Sequence, residues 1–169
     1  MQTLRLFFLI AFACLLTLHN ALAAPFVSPI GYSITPAPQW VINHNASRTE
    51  DVFINMQAVD GSTAILCVSV APAKPGDTLE QMQKNTIPVS PYSPMQFNII
   101  KTCYEKVGNV RALLVVGTYL DGTKHVSFRD DTVLKNGKMY TFDCTSPTVT
   151  QARYAPAFDQ MLHSVRWSR

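Results

Sequence analysis

An α+β domain, built on an antiparallel sheet covered on both faces, is the fold class this sequence predicts. Four observations carry it. Four strand-like runs fill residues 97–144, namely FNIIKTCYEKV, VRALLVVGTYL, TKHVSFRDDTVLK and KMYTFDC. The dipeptides between them, Gly108-Asn109, Asp121-Gly122 and Asn136-Gly137, suit two-residue hairpins, whose central residues must tolerate positive φ. RALLVVGTYL is apolar on both faces, so neither face of its sheet can stay bare. Finally, Phe158, Met161, Leu162 and Val165 recur at i, i+3, i+4 and i+7, one stripe of a helix that supplies part of the cover.

The chain opens on a segment that is not counted in that fold. Arg5 gives a positive n-region, LFFLIAFACLLTL an apolar core, and Ala21-Leu22-Ala23 a small-x-small cleavage signal. Residues 1–23 therefore read as a Sec-type signal peptide, leaving one domain over residues 24–169. The apolar run is short for a membrane span, and no stop-transfer charges follow it, so no stable span is expected after cleavage. Cys14 lacks a leucine three residues upstream, and apolar residues continue past it, against lipidation.

Within the domain, GYSI reads as a short strand with Tyr32 and Ile34 on one face, after the lead-in APFVSPI. TPAPQW is a proline-rich turn presenting Trp40. DVFINMQAV is a strand, Asp60-Gly61-Ser62 a turn, and TAILCVSV a central strand that is apolar on both sides. Asp77, three residues before Glu80, has capping-box spacing for a short helix in which Leu79 and Met82 share a face, and Ile87-Pro88 ends it. PVSPYSP is an irregular loop. In the terminal helix, Pro156 fits the first turn, and Arg166 complements the C-terminal dipole.

Composition excludes some function classes. The chain is 47% hydrophobic and 15% charged, which a disordered segment is not. A net charge of +3, falling to +2 without Arg5, with no Lys/Arg cluster, argues against a nucleic-acid partner.

The stretch TKHVSFRDD has the ingredients of a hydrolase site in His125, Ser127 and Asp131. Alternate residues of a strand share a face but stand about 6.6 Å apart, roughly parallel to one another. A nucleophile and its base need about 2.6–3.2 Å, and Asp131 lies on the side of Ser127 away from His125. No catalytic residue is assigned; Arg129 and Asp131 are expected to pair with neighbours on a partly covered face. His44 and His163 form no HxH, HxxxH or HExxH spacing, so no metal ligand and no cofactor is assigned either. Glycine-rich phosphate loops and GxSxG elbows are absent from the sequence, and Asn45-Ala46-Ser47 matches a glycosylation sequon.

Three cysteines lie beyond the leader: Cys67, Cys103 and Cys144. The dipeptide turns pair Cys103 with Leu114, Leu114 with Arg129, and Arg129 with Cys144. Cys103 and Cys144 then lie level across three strand spacings, roughly 14 Å, against the ~4.4–6.8 Å of a disulfide. Cys67 could meet one of them only from a neighbouring strand. Buried free thiols are the favoured reading.

The order of elements resembles the PsbP-like family. The resemblance rests on GYSI followed by Pro36, Pro38 and Trp40, on two strands, on the helix GDTLEQM, on the meander, and on a final helix ending in Ser164-Val165-Arg166-Trp167. It spans residues 27–169. It implies an α/β/α sandwich, as in the photosystem II extrinsic subunit, a small Ran-binding nuclear protein and bacterial envelope proteins of the DcrB and LpqN type. Members are mostly non-enzymatic binding or assembly proteins; with the leader, this implies an exported binding or assembly protein, periplasmic or extracellular, whose partner is a protein or a small ligand. The alternatives are a small secreted enzyme whose site joins distant residues, such as His44 with Asp51 or Glu105, and a secreted effector acting on a host or competitor.

Overall fold

The computed structural model describes residues 24–43, 50–57, 63–86 and 96–168. The leader with Cys14, His44, the sequon at Asn45, the Asp60-Gly61-Ser62 turn, Ile87-Pro88 and the PVSPYSP loop lie outside these residues.

Ten strands and two α-helices make up the described chain. They are β1 (Phe26–Ser28), β2 (Tyr32–Ile34), β3 (Val41–Asn43), β4 (Glu50–Gln57), β5 (Thr63–Pro72), α1 (Leu79–Asn85), β6 (Asn98–Val107), β7 (Val110–Asp121), β8 (Lys124–Lys135), β9 (Lys138–Pro147), α2 (Gln151–Ser164) and β10 (Arg166–Trp167). The main sheet runs β3-β4-β5-β9-β8-β7-β6, and β1-β2-β10 form a small second sheet; every pairing is antiparallel. The meander is β6 to β9, and its last strand, not its first, meets β5.

One turn departs from expectation. Asp121 pairs with Lys124, so the central residues are Gly122-Thr123, and Leu114 faces Asp131, not Arg129. Gly122 alone carries positive φ there, at 62°, whereas Asn136 and Gly137 both do in the next turn. A hairpin turn with glycine first needs no left-handed second residue, and Asp121 is released into the strand. Cys103 and Cys144 are consequently out of level by two residues as well as three strands apart. Leu66, not Cys67, pairs with Cys144, so the two thiols of these neighbouring strands point to opposite faces. None of Cys67, Cys103 and Cys144 is disulfide-bonded.

Two layers cover the sheet. On one side α2 and the small sheet bury Tyr32, Ile34, Leu66, Val68, Phe142 and Met161. Trp167 stands edge-on to Tyr140, with ring centroids 4.9 Å apart, and its Nε1 donates to Val107 O at 3.0 Å. α2 begins at Gln151, so Pro156 sits inside the helix and not in its first turn, and Tyr154 joins the buried stripe. Arg166 Nη1 donates to His163 O and Val165 O, in keeping with a cation at the helix end. On the other side lies α1, whose cap is Thr78, not Asp77: Thr78 Oγ1 accepts from Gln81 N, while Asp77 Oδ2 accepts from Lys74 N. Leu79 is buried, and Arg111 reaches Glu80 at 2.7 Å while stacking over Tyr104. No described helix is long and apolar enough to cross a membrane.

The Gly108 turn fastens the meander to α2. Gly108 N donates to Leu162 O at 3.0 Å, and a Cβ on Gly108 would lie 2.2 Å from Val165 O. Gly108→Ala is therefore expected to cost about 2–3 kcal/mol, in the upper part of the range for single substitutions. Gly122→Ala has equally positive φ but open space, and should cost only about 1–2 kcal/mol. Urea midpoints of the two variants, measured side by side, check the difference.

Candidate functional site

Alternation along β8 points Ser127, Arg129 and Asp131 towards α2 and Asp130 towards the opposite layer. Arg129 is the hub. Its Nε donates to Asp131 Oδ2 at 2.7 Å, its Nη1 to Asp159 Oδ1 on α2, and its Nη2 to Glu105 Oε1 on β6. One guanidinium thus ties two strands and a helix together. Asp131 is fully buried. Burial and the neighbouring Glu105 carboxylate push its carboxyl up to about 8, against the pull of Arg129. Against its own burial, the neighbouring Asp131 carboxyl and the charge of Arg129 hold Glu105 below its ordinary value. Of the two, Asp131 is the readier to hold a proton.

A second acid pair lies behind the first. Asp130 is the cross-strand partner of Asp143, and burial, followed by the charge of Asp143, pushes Asp130 up to about 8. Both raised aspartates bind a proton more tightly in the folded chain than at the ordinary value of 3.8. Their contribution to stability is full below about pH 4 and is lost as pH rises through about 8. Glu105, with its value lowered, acts in the opposite sense, at pH values below its ordinary 4.5. The urea midpoint should therefore fall between pH 5 and pH 8.5, and Asp130→Asn should flatten that fall.

Beside Arg129 a cavity of about 260 Å³ opens between α2 and the sheet. Leu114, Val116, Ala155 and Phe158 give it apolar walls. Ser127 and Ser146, cross-strand neighbours, also line it, with Lys101 from the edge strand β6. Ser146 is only 2% exposed, and its hydroxyl is buried without a hydrogen-bond partner. Cys144, also in the lining, is fully buried, and burial followed by the charge of Asp131 pushes its thiol up, which makes it unreactive.

The residues of TKHVSFRDD are not brought together as a triad. Ser127 Oγ donates to Thr148 Oγ1 at 3.1 Å, His125 is exposed near the hairpin end, and Asp131 is held by Arg129. Of the distant-residue alternatives, Glu105 is committed to Arg129, and Asp51 lies against the buried Tyr32, whose hydroxyl burial and Asp51 push far up. The expected pairing of Arg129 and Asp131 with neighbours is present. The roles of Asp159 and Ser146 were not foreseen. The signal for Asp159 was a carboxylate directly beside Phe158 in the helical stripe; Ser146 had none, because its position depends on where α2 begins.

No protein-family model and no curated protein matches the sequence. Solved structures do match in fold. The solution structure of cyanobacterial PsbP (CyanoP) from Synechocystis is 16% identical, with a TM-score of 0.61 over 87% of this chain and 93% of that one. LpqN, described as involved in cell envelope biogenesis of Mycobacterium tuberculosis, is 11% identical, with a TM-score of 0.64 over 89% and 88%. A Bacteroides thetaiotaomicron protein is 11% identical with a TM-score of 0.61, and this chain spans 49% of its length. At these identities the likeness is one of fold.

Proposed function

From this PsbP-like fold, we propose an exported, non-catalytic binding protein of the bacterial envelope or secreted space that holds its ligand in the cavity under α2. One observation carries the reading: a mostly apolar cavity with an unpartnered, buried Ser146 hydroxyl in its wall. A buried hydroxyl without a partner costs about 1–3 kcal/mol, and a ligand that supplies the partner recovers it. Apolar walls with a few convergent polar groups are the usual make-up of small-molecule sites. Export is supported by the leader pattern of residues 1–23, and an envelope setting is in keeping with the likeness to LpqN.

Native mass spectrometry of the protein from its own source tests this. The expected species begins near Ala24 and carries a small-molecule adduct that is lost on denaturation. Retention of residues 1–23, or turnover of a hydrolase substrate panel, would overturn the proposal.

A further inference from the structure

The charged groups lining the cavity are Lys101 and Arg129 against the single carboxylate of Glu105, and this net positive charge specifies a ligand class. Its one lining carboxylate, Glu105, is paired with Arg129, whose Nε and Nη1 also hold Asp131 and Asp159. Beyond that pair the polar lining offers the Lys101 ammonium, which makes no ion pair among the described residues, the unpartnered Ser146 hydroxyl and the Gln151 amide. Ser127 is the cross-strand neighbour of Ser146, and its hydroxyl, though bonded to Thr148, keeps acceptor and donor capacity by rotating. A cationic ligand would meet two cations, Lys101 and Arg129, against one carboxylate already paired. A neutral apolar ligand would leave Ser146 unsatisfied.

Resting on the proposed binding function, we infer that the cavity takes a short-chain aliphatic monocarboxylate. Its carboxylate accepts from Ser146 and Lys101, and its chain lies along Leu114, Val116, Ala155 and Phe158. Size agrees. At about 30 Å³ for each water-sized group, a cavity of this volume holds on the order of nine heavy atoms. Hexanoate and octanoate, with about eight to ten, bracket it.

Calorimetric titration of the purified protein with octanoate, 1-octanol and octylammonium tests the assignment. Octanoate should bind at one site, about tenfold or more tighter than octylammonium. Lys101→Gln should weaken octanoate about fivefold and leave 1-octanol unchanged, while Ser146→Ala should weaken both. Ala155→Phe, which fills the cavity, should abolish octanoate binding with the circular dichroism spectrum retained. If that variant does not fold, the exposed Lys101→Gln alone decides. Octanol or octylammonium binding as tightly as octanoate, and lost in Ala155→Phe, would overturn the carboxylate class while leaving the cavity as a binding site. Failure of all three probes to bind folded protein, or octanoate binding indifferent to Ala155→Phe, would overturn both.

Discussion

Phe158→Ala should lower the unfolding free energy by about 3 kcal/mol, the lower end of the range for a deleted core aromatic. Phe158 is 4% exposed and stands edge-on to Trp40, with ring centroids 5.4 Å apart. Its loss removes burial, the aromatic pair and the wedge between α2 and the Pro36–Trp40 turn. The lower end applies because one side of the ring already faces the cavity, so fewer packing partners are forfeited. For a domain of this size the melting temperature should fall by roughly 6–12 °C. A fall of one or two degrees would show that α2 does not hold the core together.

Arg129→Met should cost about 3 kcal/mol at pH 9.5, where Asp131 is ionised in the wild type, and clearly less at pH 5. Removing one partner of a buried pair leaves the other charge stranded, at about 3–5 kcal/mol. Here the stranded group is Asp131, fully buried but already prone to hold a proton. Below pH 6 it is neutral with or without Arg129, and only the links to Glu105 and Asp159 are lost. Urea unfolding of wild type and variant at the two pH values gives the comparison. A cost independent of pH would mean that Asp131 stays ionised throughout and is not raised by burial.

The sequence was legible where local chemistry decides structure and silent where distant strands choose partners. The meander could be read because Gly108, Asn136 and Gly137 sit at positions that require positive φ. The stripe Phe158, Met161, Leu162 and Val165 is buried as the spacing implied. The Gly122 turn misled by one residue, since Asp-Gly and Gly-Thr both suit a two-residue loop, and a shift of one in the loop moves the facing partner by two. The β5-to-β9 pairing and three of the four strands of only two or three residues, β1, β3 and β10, are set by tertiary contact and leave no periodic trace. At the site, alternation along β8 put Arg129 and Asp131 on one face, but Asp159 depends on how α2 docks. Ser146 became notable only once the cavity above it was seen.

The small sheet bears on the order in which the chain can fold. Its middle strand, β2, is flanked by β1, from a few residues earlier, and by β10, from the end of the chain. Thr35 N donates to Ser164 Oγ across 129 residues, Tyr140 Oη donates to Ile30 O across 110, and Ser168 N reaches back to Gly31 O. Closing loops of that length is entropically costly and slow, so these contacts form after the local hairpins of the meander. During synthesis the first strands emerge long before β10 exists to complete their sheet. The amino-terminal strands must wait, unpaired on one edge, for the final few residues. Removing Arg166–Ser168 would leave the hairpins able to form but the two ends of the chain unlatched.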